Sequence, residues 1–441
     1  MVNGSGNHDA AADDQHASYN LIRIFYMVYS MAIGCVIPFL SIYYKSLGHG
    51  GKVIGLIESI SPFTTFLVGP IWGIISDKVR SPFLILYITS AMSMLGQLLV
   101  FLVHETRSIM ILVYITALFS APVKPLIDSL VMARLGKDRA QFGRLRLFSI
   151  LGSGTASSIA GRFLKMEDET QDYIPPSDTA NVWLWNFWQS MTGFKLLVFA
   201  YVVLHIPTFI CIRLFQKENE AQKKISENDE KKPTDLTASM KGVIGITVRD
   251  KTILLFFALV YLMGISAGTG DSFVYIRFQE AGGNPSNMGT SRLLSSLGGA
   301  AMFWHSGRIS AWLGMEKVLV FSLFVVAIRF TLLYYMTNIY FGYLAELLRG
   351  MTFGCFWSSA TVYASQLAPA ELQTTMIQVL SGIYNGIGRS SGALIGGNLQ
   401  AAVGTANTFK YGAMANAAAF SVLLLQGTAK KESNDAVKKD K

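Results

Sequence analysis

Ser120-Ala-Pro-Val-Lys124-Pro-Leu-Ile-Asp128-Ser-Leu130, a basic turn, then Phe142-Gly-Arg-Leu-Arg146-Leu-Phe-Ser-Ile-Leu-Gly-Ser-Gly154 is the stretch that decides how the chain is read. It places Lys124, Asp128 and Arg146 inside apolar helical runs. An ionised side chain near the middle of a lipid-spanning helix costs at least ~2.5 kcal/mol on insertion scales, so such residues face a partner or a water-filled cavity. The stretch therefore predicts a polar pathway through a membrane protein.

Composition agrees. Of the 441 residues 51% are hydrophobic and only 15% charged, which is too apolar for an ordinary soluble protein. The net charge of +9 does not indicate nucleic acid, because the bases sit in short turns between apolar runs instead of forming a stripe. Cys35, Cys211 and Cys355 all lie in apolar runs without paired spacing, so neither a disulfide framework nor a metal site is expected. Residues 1–19 carry Asp9, Asp13 and Asp14 but no Lys or Arg, unlike a targeting peptide, and are expected to be a disordered cytoplasmic N-terminus.

A bilayer core about 30 Å thick needs roughly 20 apolar residues per helix. Twelve runs satisfy this, near 20–44, 53–76, 82–103, 108–133, 145–165, 192–215, 252–278, 287–312, 317–337, 339–366, 371–400 and 405–427. Lys78, Arg80, Arg134, Lys137, Arg139, Arg144, Arg308 and Lys317 all fall in turns on one side, with the central linker and the Lys430/Lys431 tail, which predicts that both termini are cytoplasmic. The long loop 166–190 on the other side is acidic and ends in Trp183, Trp185 and Trp188, read either as interfacial anchors or as an outer lid. The Lys/Glu/Asn/Ser-rich stretch 216–250 reads as a cytoplasmic linker, dividing a six-helix bundle at 20–215 from another at 251–428, with a cytoplasmic tail at 429–441.

The two bundles look like a repeat. Phe39-Leu-Ser-Ile-Tyr-Tyr-Lys-Ser-Leu-Gly48 parallels Phe273-Val-Tyr-Ile-Arg-Phe-Gln-Glu-Ala-Gly282, and the same interval separates Gly48 from Gly73 and Gly282 from Gly307. Glu58 and Arg292 also correspond, each at the same distance after its glycine. The expected fold is thus all-α and membrane-embedded: twelve transmembrane helices in two parallel six-helix pseudo-repeats, an arrangement that puts the substrate site between repeats in one large transporter class.

The chain resembles the major facilitator superfamily, within it the branch that groups lactose permease with nucleoside:proton symporters and facilitator-associated proteins. Gly69-Pro-Ile-Trp-Gly73-Ile-Ile-Ser-Asp77-Lys78-Val-Arg80 is similar to the superfamily motif between helices two and three. Phe142 to Phe148, Phe303 to Gly314 and Leu347 to Trp357 resemble patterns of the branch. Physically, Gly73 permits close helix approach, and Asp77 beside Lys78 and Arg80 suits a conformational latch, against the plainer reading of a solvated turn. Ala311 stands where a second-half acid would match Asp77.

Lactose permease pairs an acid on helix four with an arginine on helix five to hold substrate hydroxyls, and the resemblance carries that role to Asp128 and Arg146. A carboxylate and a guanidinium fork suit a polyhydroxylated ligand; the alternatives are a structural salt bridge or an arginine that snorkels. Lys124, four residues before Asp128 on the same helix face, and Asp271 complete the expected substrate set.

Proton coupling requires a carboxylate whose proton affinity differs between conformations as an arginine approaches or withdraws. Glu346 with Arg349, three residues apart, fits this best, with Asp271 as second choice, Glu58 beside them in the coupling set and a static ion pair as the alternative. Arg329 is placed to bridge to helix ten, and Arg389 to face the pathway or a buried carbonyl. Arg349 and Thr352 stand where lactose permease has its coupling histidine and glutamate, and Ser295 or Ser296 where it has an acid on helix eight, so coupling is left as an option and not as an inherited mechanism.

No His-Glu-x-x-His, P-loop or clustered metal acids occur, so an enzyme is not expected, nor a cofactor. The expected function is secondary active transport of a small polar solute (sugar, nucleoside or organic anion) by alternating access, with protons as the optional partner. A non-transporting solute sensor or scaffold of the same fold is the alternative. The bilayer is the other expected partner, the chain a multi-pass monomer, and plasma and organelle membranes both compatible.

Overall fold

The computed structural model describes residues 5–79, 81–135, 142–164, 193–223, 242–243, 245–247, 249–369 and 372–439. Among them the secondary structure is helical. The helices are α1 (Ser5–Val36), α2 (Leu40–Ser46), α3 (Gly51–Val79), α4 (Pro82–Val100), α5 (Thr106–Ser120), α6 (Val123–Leu135), α7 (Phe142–Phe163) and α8 (Phe194–Lys223). They continue as α9 (Lys251–Glu280), α10 (Pro285–Leu313), α11 (Met315–Tyr334), α12 (Ile339–Leu367), α13 (Gln373–Ser381), α14 (Arg389–Val403) and α15 (Thr405–Lys439). A π-helical segment, Gly382–Gly388, joins α13 to α14.

Among the described residues seven stretches are long and apolar enough to cross a membrane: Tyr19–Ser46, Gly51–Gly73, Pro82–Val100, Thr106–Met132, Phe194–Glu218, Lys251–Glu280 and Met315–Tyr334. The other expected runs coincide with α7, α10, α12, α13–α14 and α15, which carry Gly, Ser and charged residues that dilute their hydropathy. Side chains such as Ile206, Ile210, Leu67 and Ile71 are more than half exposed, the apolar exterior of a lipid-embedded protein. At the N-terminus the structure differs from the expectation of disorder over 1–19, because α1 already begins at Ser5. The Pro-free sequence there, with Ala10, Ala11, Ala12 and Ala17, leads into the apolar span. Likewise α8 continues to Lys223, into the expected linker, and α15 to Lys439, into the expected tail.

Two compact units are formed, one from Met1–Tyr43, Leu67–Pro233 and Asn284–Ser296, the other from Tyr44–Phe66, Thr234–Gly283 and Leu297–Lys441. The first half of α3 belongs to the second unit and the first half of α10 to the first.

In the first unit α1 lies along α7 through small residues. A Cβ on Gly34 would stand 2.7 Å from Ser153 Cα, and one on Gly152 3.1 Å from Met27 Cα. Ser157 Oγ donates to Gly34 O at 2.6 Å, while the Ser30 and Ser149 hydroxyls meet at 2.6 Å. Four-residue spacing of small residues on both helices brings the backbones together, as dispersion and short polar contacts drive helix association in lipid. The first half of α10 joins α7 in the same way, with a Cβ on Gly289 3.0 Å from Ser158 Cα. The same unit holds an apolar core of Ile22, Phe25, Leu86, Ile127, Val131 and Ile212.

In the second unit α9 packs on α14. A Cβ on Gly264 would stand 2.9 Å from Gly388 Cα, and one on Gly268 2.8 Å from Arg389 Cα. Thr269 Oγ1 donates to Gly392 O at 2.8 Å. The first half of α3 covers the neighbouring face of α14, where a Cβ on Gly55 would stand 2.8 Å from Gly397 Cα and Ser390 Oγ donates to Ser59 O at 3.0 Å. Gly48 and Gly282, matched in the repeat, close α2 and α9 in the left-handed region at φ 83° and 79°. There His49 N bonds Tyr44 O at 3.2 Å and Gly283 N bonds Phe278 O at 2.8 Å, the same helix ending in both halves.

Candidate functional site

The first unit builds a polar cluster from α1, α6 and α7. A turn at Ala121–Pro122 separates α5 from α6, and Asp128 sits in the middle of α6. Tyr26 Oη on α1 donates to Asp128 Oδ1 at 2.7 Å. Arg146 Nη2 on α7 lies 3.7 Å from Asp128 Oδ2, an ion pair wider than a hydrogen bond. The Arg146 and Asp128 side chains are 35% and 22% exposed. Tyr29, one turn after Tyr26, stands within electrostatic reach of Asp128. Lys124 is exposed one turn before Asp128 on α6.

Sequence reasoning did not single out Tyr26. It is one aromatic within Phe25-Tyr26-Met-Val-Tyr29, and the only local signal is a hydroxyl in an apolar run, which requires a partner once buried.

The second unit holds a larger charged network. On α9, Asp271 accepts from Arg349 Nε at 2.9 Å, with Arg349 Nη2 at 2.6 Å from the same oxygen, Oδ1, and its other oxygen is paired with Arg389. Glu346 pairs with Arg329 Nη2 at 2.7 Å, the two side chains being only 1% and 4% exposed. The local Glu346–Arg349 pairing expected from their spacing is the longer contact, at 3.9 Å. Arg349 finds its closer partner in Asp271 and Glu346 in Arg329, because both can be reached by shorter bonds across the helix interfaces. Arg349 thus bridges the two acids.

Backbone choices position these groups. With no Cβ at Gly268, the backbone of Arg389 lies directly on α9, one turn from Asp271. The π segment just before Arg389 shifts the register at this point, as π-bulges often do at functional sites. At Gly270 a Cβ would stand 2.8 Å from Arg329 Nη1, so the missing side chain makes room for the guanidinium beside Asp271. Glu58, on the part of α3 that covers α14, is within electrostatic reach of Asp271 and Arg389.

Of the expected latch, Gly73 lies on an exposed face of α3 with no atom within 4 Å of a Cβ built there. Asp77 and Lys78 continue α3, their side chains lying outside the described residues together with Arg80. The loop 166–190 also lies outside them. Among the described residues no group of His, Cys, Asp and Glu could hold a metal ion. A cavity of about 400 Å³ in the second unit is lined by Lys45, His49, Ile54, Ile276 and Gln400, apart from the charged network.

Residues 19–411 match the MFS_1 like family. The chain belongs to that family. This family member is 23% identical over 385 residues to a maltose permease of Geobacillus stearothermophilus, covering 87% of this chain and 88% of the relative. It is 21% identical over 374 residues to the uncharacterized transporter YwbF of Bacillus subtilis, covering 84% of each. The crystal structure of a mutant form of the nucleoside transporter NupG shares the fold at a TM-score of 0.74 with 13% identity, over 92% of this chain and 99% of that one. A POT family transporter solved with 5-aminolevulinic acid does so at 0.67 with 10% identity, over 93% and 96%. This major facilitator chain is accordingly a multi-pass membrane protein of a transporter family, not an enzyme.

Proposed function

We propose that this family member is a secondary transporter that moves a small polar solute by alternating access, coupled to protons. In this reading it crosses the bilayer twelve times with both termini cytoplasmic, as bundles 20–215 and 251–428 joined by the cytoplasmic linker 216–250, with 1–19 and 429–441 as cytoplasmic ends. Asp128 and Arg146, with Lys124 beside them and Asp271 in the second bundle, bind the solute. Glu346, Arg349 and Glu58 form the coupling network, and Gly73, Asp77, Lys78 and Arg80 the latch.

The observation that carries the reading is the Asp128–Arg146 pair, embedded among apolar helices yet partly exposed and wider than a hydrogen bond. A purely structural bridge in lipid gains most from a close, sealed contact such as Arg329–Glu346. A carboxylate acceptor and a guanidinium fork are the groups a polyhydroxylated ligand takes, and Tyr26 donates to the carboxylate.

Counterflow in vesicles containing the purified protein tests this, with a panel of labelled sugars, nucleosides and organic anions headed by maltose and uridine, since a maltose permease and a nucleoside transporter are among the proteins it is similar to. Exchange is expected for a panel member and is lost in Asp128→Asn. Binding without exchange would instead favour the sensor, and exchange unchanged in Asp128→Asn would remove Asp128 from the site.

A further inference from the structure

Six charged side chains gather in the second unit: the acids Glu58, Asp271 and Glu346 and the arginines Arg329, Arg349 and Arg389. Two of the acids are committed. Arg329 closes on Glu346, and both Arg349 and Arg389 close on Asp271. Two carboxylates against three guanidiniums leave one positive charge, and Glu58 is the acid left to balance it. Among the described residues Glu58 makes no ion pair or hydrogen bond, and the charged groups within its reach are Asp271 on α9 and Arg389 on α14. Its position is not incidental, because Gly55 and Ser59 on either side of it are the contacts that seat α3 against α14.

We propose that Glu58 is a proton-operated counter-charge, and that the ligand of the Asp271–Arg349–Arg389 group is a small monoanion taken up together with one proton. With Glu58 ionised the six charges cancel, and an added anion would be the unmatched charge. Once Glu58 binds a proton from water, the group carries one net positive charge, and an anion on Arg389 and Arg349 restores neutrality. Those two guanidiniums are partly exposed, whereas Arg329 is sealed against Glu346. Proton and anion therefore favour each other's binding by the same factor. One proton and one monoanion move with no net charge. This inference rests on the transporter reading and adds to it the chemical class of a ligand and the group that carries the proton.

The test uses purified full-length protein in weakly buffered detergent, with lactate, gluconate and benzoate as anionic probes and glucose and uridine as neutral ones. Wild type is expected to take up one proton per anion bound, its affinity falling about tenfold per pH unit above the titration of Glu58. Glu58→Gln, which mimics the protonated acid, should bind the same anion independently of pH and without proton uptake, while Glu58→Asp should restore uptake and show that the site still folds. Unchanged proton uptake and pH dependence in Glu58→Gln would overturn the proposal, as would failure of every anionic probe to bind wild type. Vesicle counterflow of glucose or uridine, equal in wild type and Glu58→Gln and with no anion bound, would sink the proposal while leaving the transporter reading intact. Proton-linked anion binding without exchange of any probe would do the reverse.

Discussion

Consider a double-mutant cycle at Arg329 and Glu346. The two side chains are 4% and 1% exposed and meet at 2.7 Å, so each has exchanged its water for the other. Arg329→Met strands Glu346 with only the longer Arg349 contact at 3.9 Å. Glu346→Leu strands a guanidinium whose Nε already lacks a hydrogen bond and that otherwise lies by the Gly270 backbone and the Phe330 ring, 5.5 Å away. Breaking a buried pair from one side costs about 3–5 kcal/mol. Arg329→Met should fall at the lower end because of Arg349, and Glu346→Leu at the upper. At about 1.4 kcal/mol per factor of ten, the folding equilibrium shifts by roughly two to four orders of magnitude across the two single variants. The double variant, with both charges replaced by apolar side chains of similar bulk, should lie within about 1 kcal/mol of wild type or be more stable. The coupling energy is then about 3 kcal/mol or more, read from reversible unfolding in mixed micelles. It should be insensitive to salt, since counterions do not reach the pair. Single variants each within about 1 kcal/mol of wild type, or a double variant costing the sum of the singles, would refute the claim that this pair is sealed.

Tyr26→Phe removes the donor to Asp128 and, at about 1.5–3 kcal/mol for a hydrogen bond to a charged group, should weaken solute binding by roughly ten- to a hundredfold in counterflow while exchange still occurs; unaltered affinity would mean that Tyr26 does not orient the carboxylate. Gly34→Leu should destabilise by at least about 1–3 kcal/mol, because its Cβ would stand 2.7 Å from the Ser153 backbone, whereas Gly73→Leu, with no atom within 4 Å, should stay within about 0.5 kcal/mol of wild type in the same unfolding assay. Equal effects at the two glycines would deny that α1 and α7 are in backbone contact.

Helices such as α4, α9 and α11 were legible because hydropathy and length are local properties, summed over about 20 neighbouring residues against the thickness of a bilayer. The matching helix endings at Gly48 and Gly282 were legible too, since they depend on a few adjacent residues and a glycine able to take positive φ. The charged residues could be picked out one by one, because Asp128, Asp271 and Glu346 each stand out against an apolar background. The Asp128–Arg146 pair and the bridge from Arg329 to helix ten were also anticipated, but the remaining partners were not. Asp128 meets Tyr26 across 102 positions, and Asp271 meets Arg349 across 78 and Arg389 across 118. The spacing rule that joined Glu346 to Arg349 describes an isolated helix, and in the packed unit shorter bonds to neighbouring helices win. Run length and composition alone determined that the chain is helical and membrane-embedded, with charge buried inside it. Which acid holds which arginine, and which is left over, was decided by tertiary packing, because charges pair by distance in space and that distance is set by where Gly268, Gly270 and Gly55 let backbones touch.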